Sequence, residues 1–141
     1  MQHSDLLMPR EQMLDLGQKA LELLVERIES LPGENAWEGE FRQVLEDQLL
    51  EDPPEDGRPP AEVMERAARD ILPLTGRNDH PRFFGFVPSS PTWPGVVADF
   101  MAAGYHINQC TWLVASGPSQ MELVVIDWFR RWIGYPEGAG G

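Results

Sequence analysis

The sequence predicts a mainly α protein. Apolar residues recur every three or four positions in successive segments, no strand-rich stretch interrupts them, and prolines and glycines bound them. There are no internal repeats, and 141 residues suit one modest domain.

The first helix opens near Pro9, a residue suited to the first helical turn because its missing N–H costs little there. Met13, Leu16, Ala20, Leu23, Leu24 and Ile28 follow at close to a 3.6-residue period, and Pro32-Gly33 stops the helix. Its polar face carries Glu11, Asp15, Lys19, Glu22 and Glu26, so the helix needs a partner surface for its apolar side. A weaker helical segment runs from Glu38 to Leu50, with Phe41, Val44, Leu45 and Leu49 on one face. The acidic, proline-rich run Glu51 to Pro60 reads as an exposed loop. A third helix begins at about Pro60, buries Val63, Met64, Ala67, Ala68, Ile71 and Leu72, and ends at Pro73.

The stretch His80 to Pro91 is too aromatic for an ordinary solvent loop, and its prolines deny it a regular helix. Such a segment is expected to lie against a core or a binding pocket. A helix from Thr92 to Ala103 turns Val96, Val97, Phe100 and Met101 inward. Tyr105 to Ala115 is apolar and irregular. A last helix spans about Pro118 to Ile133 and is expected to be largely buried. Ser119 and Glu122 have capping-box spacing at its start, with Ser116 as a rival cap, and Gly134 fits the position just past its end. Trp112 and Trp128 read as core residues.

A net charge of -12 argues against a nucleic-acid partner, whose phosphates call for a basic footprint, and against an anionic membrane surface. The acidic balance reads as solubility. The single cysteine, Cys110, excludes an internal disulfide framework and a zinc-finger site, and is consistent with a cytoplasmic setting. The start MQHSDLLMPREQ lacks the basic and apolar regions of a signal peptide. No stretch approaches the roughly 18 apolar residues of a membrane span. His3, His80 and His106 have no metal-ligand spacing. Glu122 and Asp127, five residues apart on one helix, form no obvious acid–base pair. No flanking base would activate Cys110 as a nucleophile. The chain ends on Glu137-Gly138-Ala139-Gly140-Gly141 soon after its most hydrophobic helix, which reads as an interruption.

The residues His80 to Pro94, HPRFFGFVPSSPTWP, resemble a motif of the group II pyridoxal-phosphate-dependent amino-acid decarboxylases. The later stretch VADFMAAGYHINQCTWLVASGPSQMELVVIDWFRRWIGYP is similar to that family too, as is the spacing back to ILPLTGRNDHP and the two earlier helices. The resemblance covers nearly the whole chain, most strongly residues 60–141. It implies an amino-terminal helical flap, a dimerisation segment, over 1–90. Residues 91–141 would be the first helices of a fold type I pyridoxal-phosphate-dependent α/β large domain, incomplete and truncated before the sheet. It implies a homodimer, or association with the remaining part of the decarboxylase, and an L-amino-acid substrate for the complete enzyme.

The same resemblance places Phe86, Pro88 and Ser89 on the wall of the pocket for the substrate side chain. Phe86 reads equally as a core aromatic, and Phe83 and Phe84 read as core. Asn108 and Cys110 match a second pocket segment that reaches across the dimer interface. Val87 stands where aromatic-amino-acid decarboxylases often carry an aromatic residue, and Asn108 and Cys110 are more polar than the residues of those enzymes. These departures weaken the implication of an aromatic substrate. His80 does not correspond to the family's ring-stacking histidine, which lies much further along. It reads as a turn histidine bonded to the backbone.

Pyridoxal phosphate, the cofactor of the complete enzyme, draws electrons from an amino acid held as an imine, which needs an amine nucleophile. The one lysine, Lys19, lies on the polar face of the first helix. No catalytic, cofactor-binding or metal-binding residue is assigned here, and no cofactor is expected on this chain alone. The expectation is an amino-terminal piece of a carboxy-lyase that supplies dimer contacts and part of the substrate pocket and is inactive by itself. The rival expectation is a non-catalytic helical interaction module, or a split subunit needing a separately encoded partner.

Overall fold

The structure, a computed structural model, describes residues 7–140. His3 and the first residues of the stretch read for a signal peptide lie outside them. The described residues form helices joined by turns and loops, without a named strand among them, as the periodicity predicts. The chain divides into two compact units between Ser90 and Pro91.

The first unit holds α1 (Arg10–Ser30), α2 (Arg42–Leu49) and α3 (Pro60–Arg66). Pro9 is the N-cap of α1, one position earlier than its sequence role, and a short 3₁₀ turn, Leu31–Gly33, follows at the proline. The half-buried residues of α1 are Leu16, Gly17, Lys19, Ala20, Leu23 and Arg27, and α1 packs on α3. Met13, Leu24 and Ile28, expected on that face, are exposed. The stripe is narrower than the sequence pattern because α3 is only two turns long and covers little of α1.

Past α3 the helix widens into a π turn, Ala67–Ile71, closed by Leu72 N–H donating to the Ala67 carbonyl at 2.9 Å. Val63, Ile71 and Leu72, expected to be buried, are exposed, and Met64, Ala67 and Ala68 are half-buried. Pro73 follows and cannot continue the helix.

The most buried part of this unit is polar. Segment 75–82 lies along loop 34–38 through an isolated antiparallel bridge between Trp37 and Gly76. Glu38 N–H donates to Thr75 O at 3.2 Å and Arg77 N–H to Ala36 O at 3.0 Å. Arg77, with 8% of its side chain exposed, reaches Glu34 at 2.7 Å, Glu38 at 2.9 Å and the Asn35 carbonyl at 2.6 Å. Arg27 forks onto Asp79, with Nη2 to Oδ1 at 2.7 Å and Nη1 to Oδ2. A buried guanidinium survives only if its donors find acceptors, and this loop supplies them.

The second unit holds α4 (Trp93–Gly104) and α5 (Ser116–Trp132). Thr92 caps α4, its Oγ1 accepting from Gly95 N–H at 3.3 Å. The capping-box reading of α5 is corrected. The helix starts at Ser116 with Ala115 as N-cap, so Ser119 lies inside it, and no side chain caps it. Ala115 is buried, and its carbonyl accepts from Ser119 N–H at 2.9 Å. The end of α5 matches expectation. Gly134 has φ +73°, Gly134 N–H donates to Arg131 O and Tyr135 N–H to Arg130 O, the paired bonds of a Schellman motif.

The expected burial of this unit's apolar residues is also corrected. Phe100, Met101, Trp112, Trp128, Phe129 and Trp132 are exposed, Trp132 at 72%. Val96, Val97, Val124 and Ile126 are half-buried. Two helices and a turn offer too few neighbours to enclose so many large side chains.

Candidate functional site

The segment bearing Phe86, Pro88 and Ser89 grows out of the polar loop of the first unit. His80 is 3% exposed. Its Nε2 lies 3.1 Å from the Glu34 carbonyl, and its Nδ1 accepts from Arg82 N–H at 2.9 Å. This pattern calls for the Nε2–H tautomer. It is the backbone-bonded turn histidine that the sequence predicts. Arg82 Nη2 donates to the same Glu34 carbonyl at 2.8 Å, and Phe83 N–H donates to His80 O at 2.9 Å.

Beyond this anchorage the chain stands clear of its own unit. Phe84 is 92% exposed and Phe86 91%. The core reading of Phe84, and the core alternative for Phe86, are therefore corrected, because no other element of the unit covers them. Phe83 is half-buried, and its ring lies 6.2 Å from that of Phe86 at 31°. Gly85 permits this fold-back, since a Cβ there would sit 3.2 Å from Phe83 Cζ.

Phe86 has φ +57°. The left-handed region costs a non-glycine residue about 1–2 kcal/mol, and a bulky aromatic there is an outlier of the kind that clusters at binding sites.

In the second unit, Asn108 and Cys110 share one turn, where Asn108 Oδ1 accepts from Cys110 N–H at 3.0 Å. Both are exposed, and His106, two residues before Asn108, has φ +51°. The structure thus gathers the candidates into two exposed turns, Phe86–Pro88–Ser89, which opens on a left-handed Phe86, and Asn108–Cys110, which follows a left-handed His106.

Clefts of the first unit lie elsewhere. One of about 490 Å³ is lined by Glu51, Arg58, Glu62, Arg66 and Arg69. Its charges answer one another. Arg66 hydrogen-bonds Glu51 at 2.8 Å and holds that carboxyl below the usual carboxylate range. One of about 830 Å³ is lined by Leu23 and Arg27 of α1 together with Glu34 and Arg77 of the polar loop.

Lys19 is ion-paired with Glu65 across the α1–α3 contact, which gives it a structural role. The residues described here therefore do not fit imine formation with pyridoxal phosphate. In α5, Asp127 is taken up by Arg130 at 2.8 Å and Arg131 at 2.7 Å, so it is not a free acid or base. No cluster of three or more His, Cys, Asp or Glu suited to a metal occurs among the described residues. No helix among them is long and apolar enough to cross a membrane.

The residues that sequence reasoning missed are Arg27, Glu34, Arg77, Asp79 and Arg82. The available signal was the density of charge in Arg77, Asp79, His80 and Arg82 within a turn beside an aromatic run.

No family model matches the chain. Among solved structures, it superposes on the Oryza sativa TDC with PLP and tryptamine at a TM-score of 0.81 and 20% identity. The overlap covers 92% of this chain and 26% of that one. The Catharanthus roseus tryptophan decarboxylase in complex with L-tryptophan gives 0.81 at 16% identity, covering 92% and 28%. The fold is therefore that of the amino-terminal helical region of a pyridoxal-phosphate-dependent decarboxylase.

In sequence, the chain is 33% identical over 131 residues to an aromatic-L-amino-acid decarboxylase of Bacillus atrophaeus, covering 93% of this chain and 27% of that relative. It is 35% identical over 104 residues to a tyrosine decarboxylase of Oryza sativa subsp. japonica, covering 69% and 19%. The chain belongs to the group II pyridoxal-phosphate-dependent amino-acid decarboxylase family and corresponds to its amino-terminal portion. It spans about a quarter of the length of the Bacillus relative.

Proposed function

We propose that this chain is the amino-terminal helical part of an L-amino-acid decarboxylase, supplying dimer contacts and one wall of the pocket for the substrate side chain. Residues 1–90 serve as the flap, and residues 91–141 open the large domain. The observation that carries this reading is the Phe86–Ser89 turn. It presents a 91% exposed aromatic ring, held in a left-handed conformation and anchored at its base by buried polar groups. An aromatic side chain that its own unit leaves uncovered suits a pocket completed by another part of the protein.

In this reading Phe86 and Pro88 give apolar contact to the substrate side chain, and the Ser89 hydroxyl offers a hydrogen bond. Asn108 and Cys110 reach the equivalent pocket of the partner protomer in a homodimer. When bound, pyridoxal phosphate supplies the electron sink for loss of the α-carboxylate as CO2. Its phosphate, ring and imine contacts fall to residues outside this chain. The aromatic-L-amino-acid and tyrosine decarboxylase activities of the Bacillus and Oryza sativa relatives favour an aromatic L-amino acid as substrate. The protein acts in the cytoplasm.

Phe86→Leu, made in the decarboxylase that carries this chain, tests the wall. Loss of ring contact is expected to raise KM for aromatic amino acids roughly tenfold while kcat changes little, the pattern of lost uniform binding. An unchanged KM for every aromatic substrate removes Phe86 from the pocket.

The exposed apolar faces of α4 and α5 also favour a second reading, a helical module that binds a separately encoded remainder of the enzyme. Co-expression with that remainder restores activity under this reading, whereas activity in a single polypeptide refutes it.

A further inference from the structure

We infer that His80 and Arg82 are positioning residues that set where the Phe86 wall stands, and hence the fit of the substrate side chain. This inference rests on the proposed pocket role of Phe86. Two side chains from one turn converge on a single carbonyl, that of Glu34, at 3.1 Å from His80 Nε2 and 2.8 Å from Arg82 Nη2. The turn is closed on itself by Arg82 N–H to His80 Nδ1 and by Phe83 N–H to His80 O, both at 2.9 Å.

From Phe83 the connection passes through its ring to that of Phe86, packed closely over Gly85, where a Cβ would meet Phe83 Cζ at 3.2 Å. Glu34 is itself fixed from the other side, its carboxylate bound to Arg77 at 2.7 Å. A continuous run of hydrogen bonds and ring packing therefore joins the end of the flap's first helix to the exposed wall. Phe86 and Val87 are exposed, so the restraint on the wall comes from this anchorage. A bond network that orients a group it does not itself contact is the usual support for a precise site.

The test uses His80→Asn and His80→Gln in the decarboxylase carrying this chain, with Phe86→Leu alongside. Asparagine keeps an acceptor near the Nδ1 position and cannot reach Glu34. Glutamine keeps a donor that can reach Glu34. Arg82→Met removes one arm with less loss of buried packing and stands in if His80→Asn fails to fold. Two readouts are taken: amide hydrogen exchange over residues 82–90, and KM with kcat for an aromatic L-amino acid.

His80→Asn and Arg82→Met are each expected to speed exchange over 82–90 on the order of tenfold. Each should raise KM several-fold, with kcat within about twofold, and His80→Gln should recover part of both effects. Faster exchange with unchanged KM, in a protein where Phe86→Leu does raise KM, overturns the positioning role and leaves the pocket reading standing. Unchanged exchange in both variants also overturns it. If Phe86→Leu leaves KM unchanged, the pocket reading fails and the inference falls with it.

Discussion

Removal of the Arg77 guanidinium strips the first unit of its most buried charge. Arg77→Met keeps much of the aliphatic volume and deletes contacts to Glu34, Glu38 and the Asn35 carbonyl. A charge-assisted hydrogen bond contributes about 1.5–3 kcal/mol, and unpairing a buried ion pair costs about 3–5 kcal/mol. Neither figure applies in full. The Glu34 side chain is 34% exposed and that of Glu38 45%, so water can take over part of both carboxylates. The Asn35 carbonyl loses its close partner.

These considerations put the cost of Arg77→Met at roughly 2–4 kcal/mol. Lysine restores one point charge but cannot fork to three acceptors, so Arg77→Lys is expected to lose about half as much. Arg42, 85% exposed and paired only with Glu46 one turn on, is the internal control, where alanine should cost about 0.3–0.5 kcal/mol. Urea unfolding followed by far-UV circular dichroism measures all three. With a slope of about 1–3 kcal/mol/M, Arg77→Met should lower the midpoint by at least roughly 0.7 M. A loss no greater than that of Arg42→Ala would refute the claim that a polar lock organises this unit.

Arg27 hydrogen-bonds Asp79 and so holds its carboxyl below the usual carboxylate range, against the opposing effect of burial. A depressed folded pKa adds stability that is present above the ordinary value of about 4 and lost as pH falls through the folded value. Asp79→Asn should therefore cost about 1 kcal/mol at neutral pH, since Arg27 is 41% exposed, and flatten the acid limb of a stability–pH curve. An equally steep limb in the variant would contradict this. Gly134→Ala forces a Cβ onto a φ of +73° with open space around it, so its cost is conformational, about 1 kcal/mol of chemical-denaturation stability. Lys19→Met breaks a partly exposed pair and should cost under about 1 kcal/mol. Borohydride treatment of the 141-residue chain with pyridoxal phosphate should leave Lys19 unmodified by mass spectrometry, and a stoichiometric adduct there would contradict its structural role.

The helices were legible because their signals are local. Periodicity marked α1 and α5, Pro60 and Pro73 bracketed α3 and its π turn, and Gly134 announced the end of α5. The polar loop was not legible, because Arg27–Asp79 and Arg77–Glu38 join residues far apart in the chain and nothing local to either names its partner. The capping box failed because Ser119 and Glu122 fit a spacing rule that Ala115 and Ser116 had already pre-empted by starting the helix earlier. The burial forecast failed for Phe84, Trp112 and Trp128, because periodicity reveals a face in need of cover without showing whether the same unit provides it. Phe86, Pro88, Ser89, Asn108 and Cys110 became candidates by family resemblance. Their residue chemistry alone did not single them out, and the left-handed backbone at Phe86 is visible only in the structure.

Decarboxylation itself gives the most direct test. The protein carrying this chain, loaded with pyridoxal phosphate, is incubated with carboxyl-labelled L-tryptophan, L-tyrosine or L-phenylalanine. Released CO2 and the organic product are then measured together. The account predicts labelled CO2 in equal amount to the corresponding amine for at least one of the three. Labelled CO2 accompanied by an aldehyde in place of the amine, or no CO2 from any of them, would contradict it.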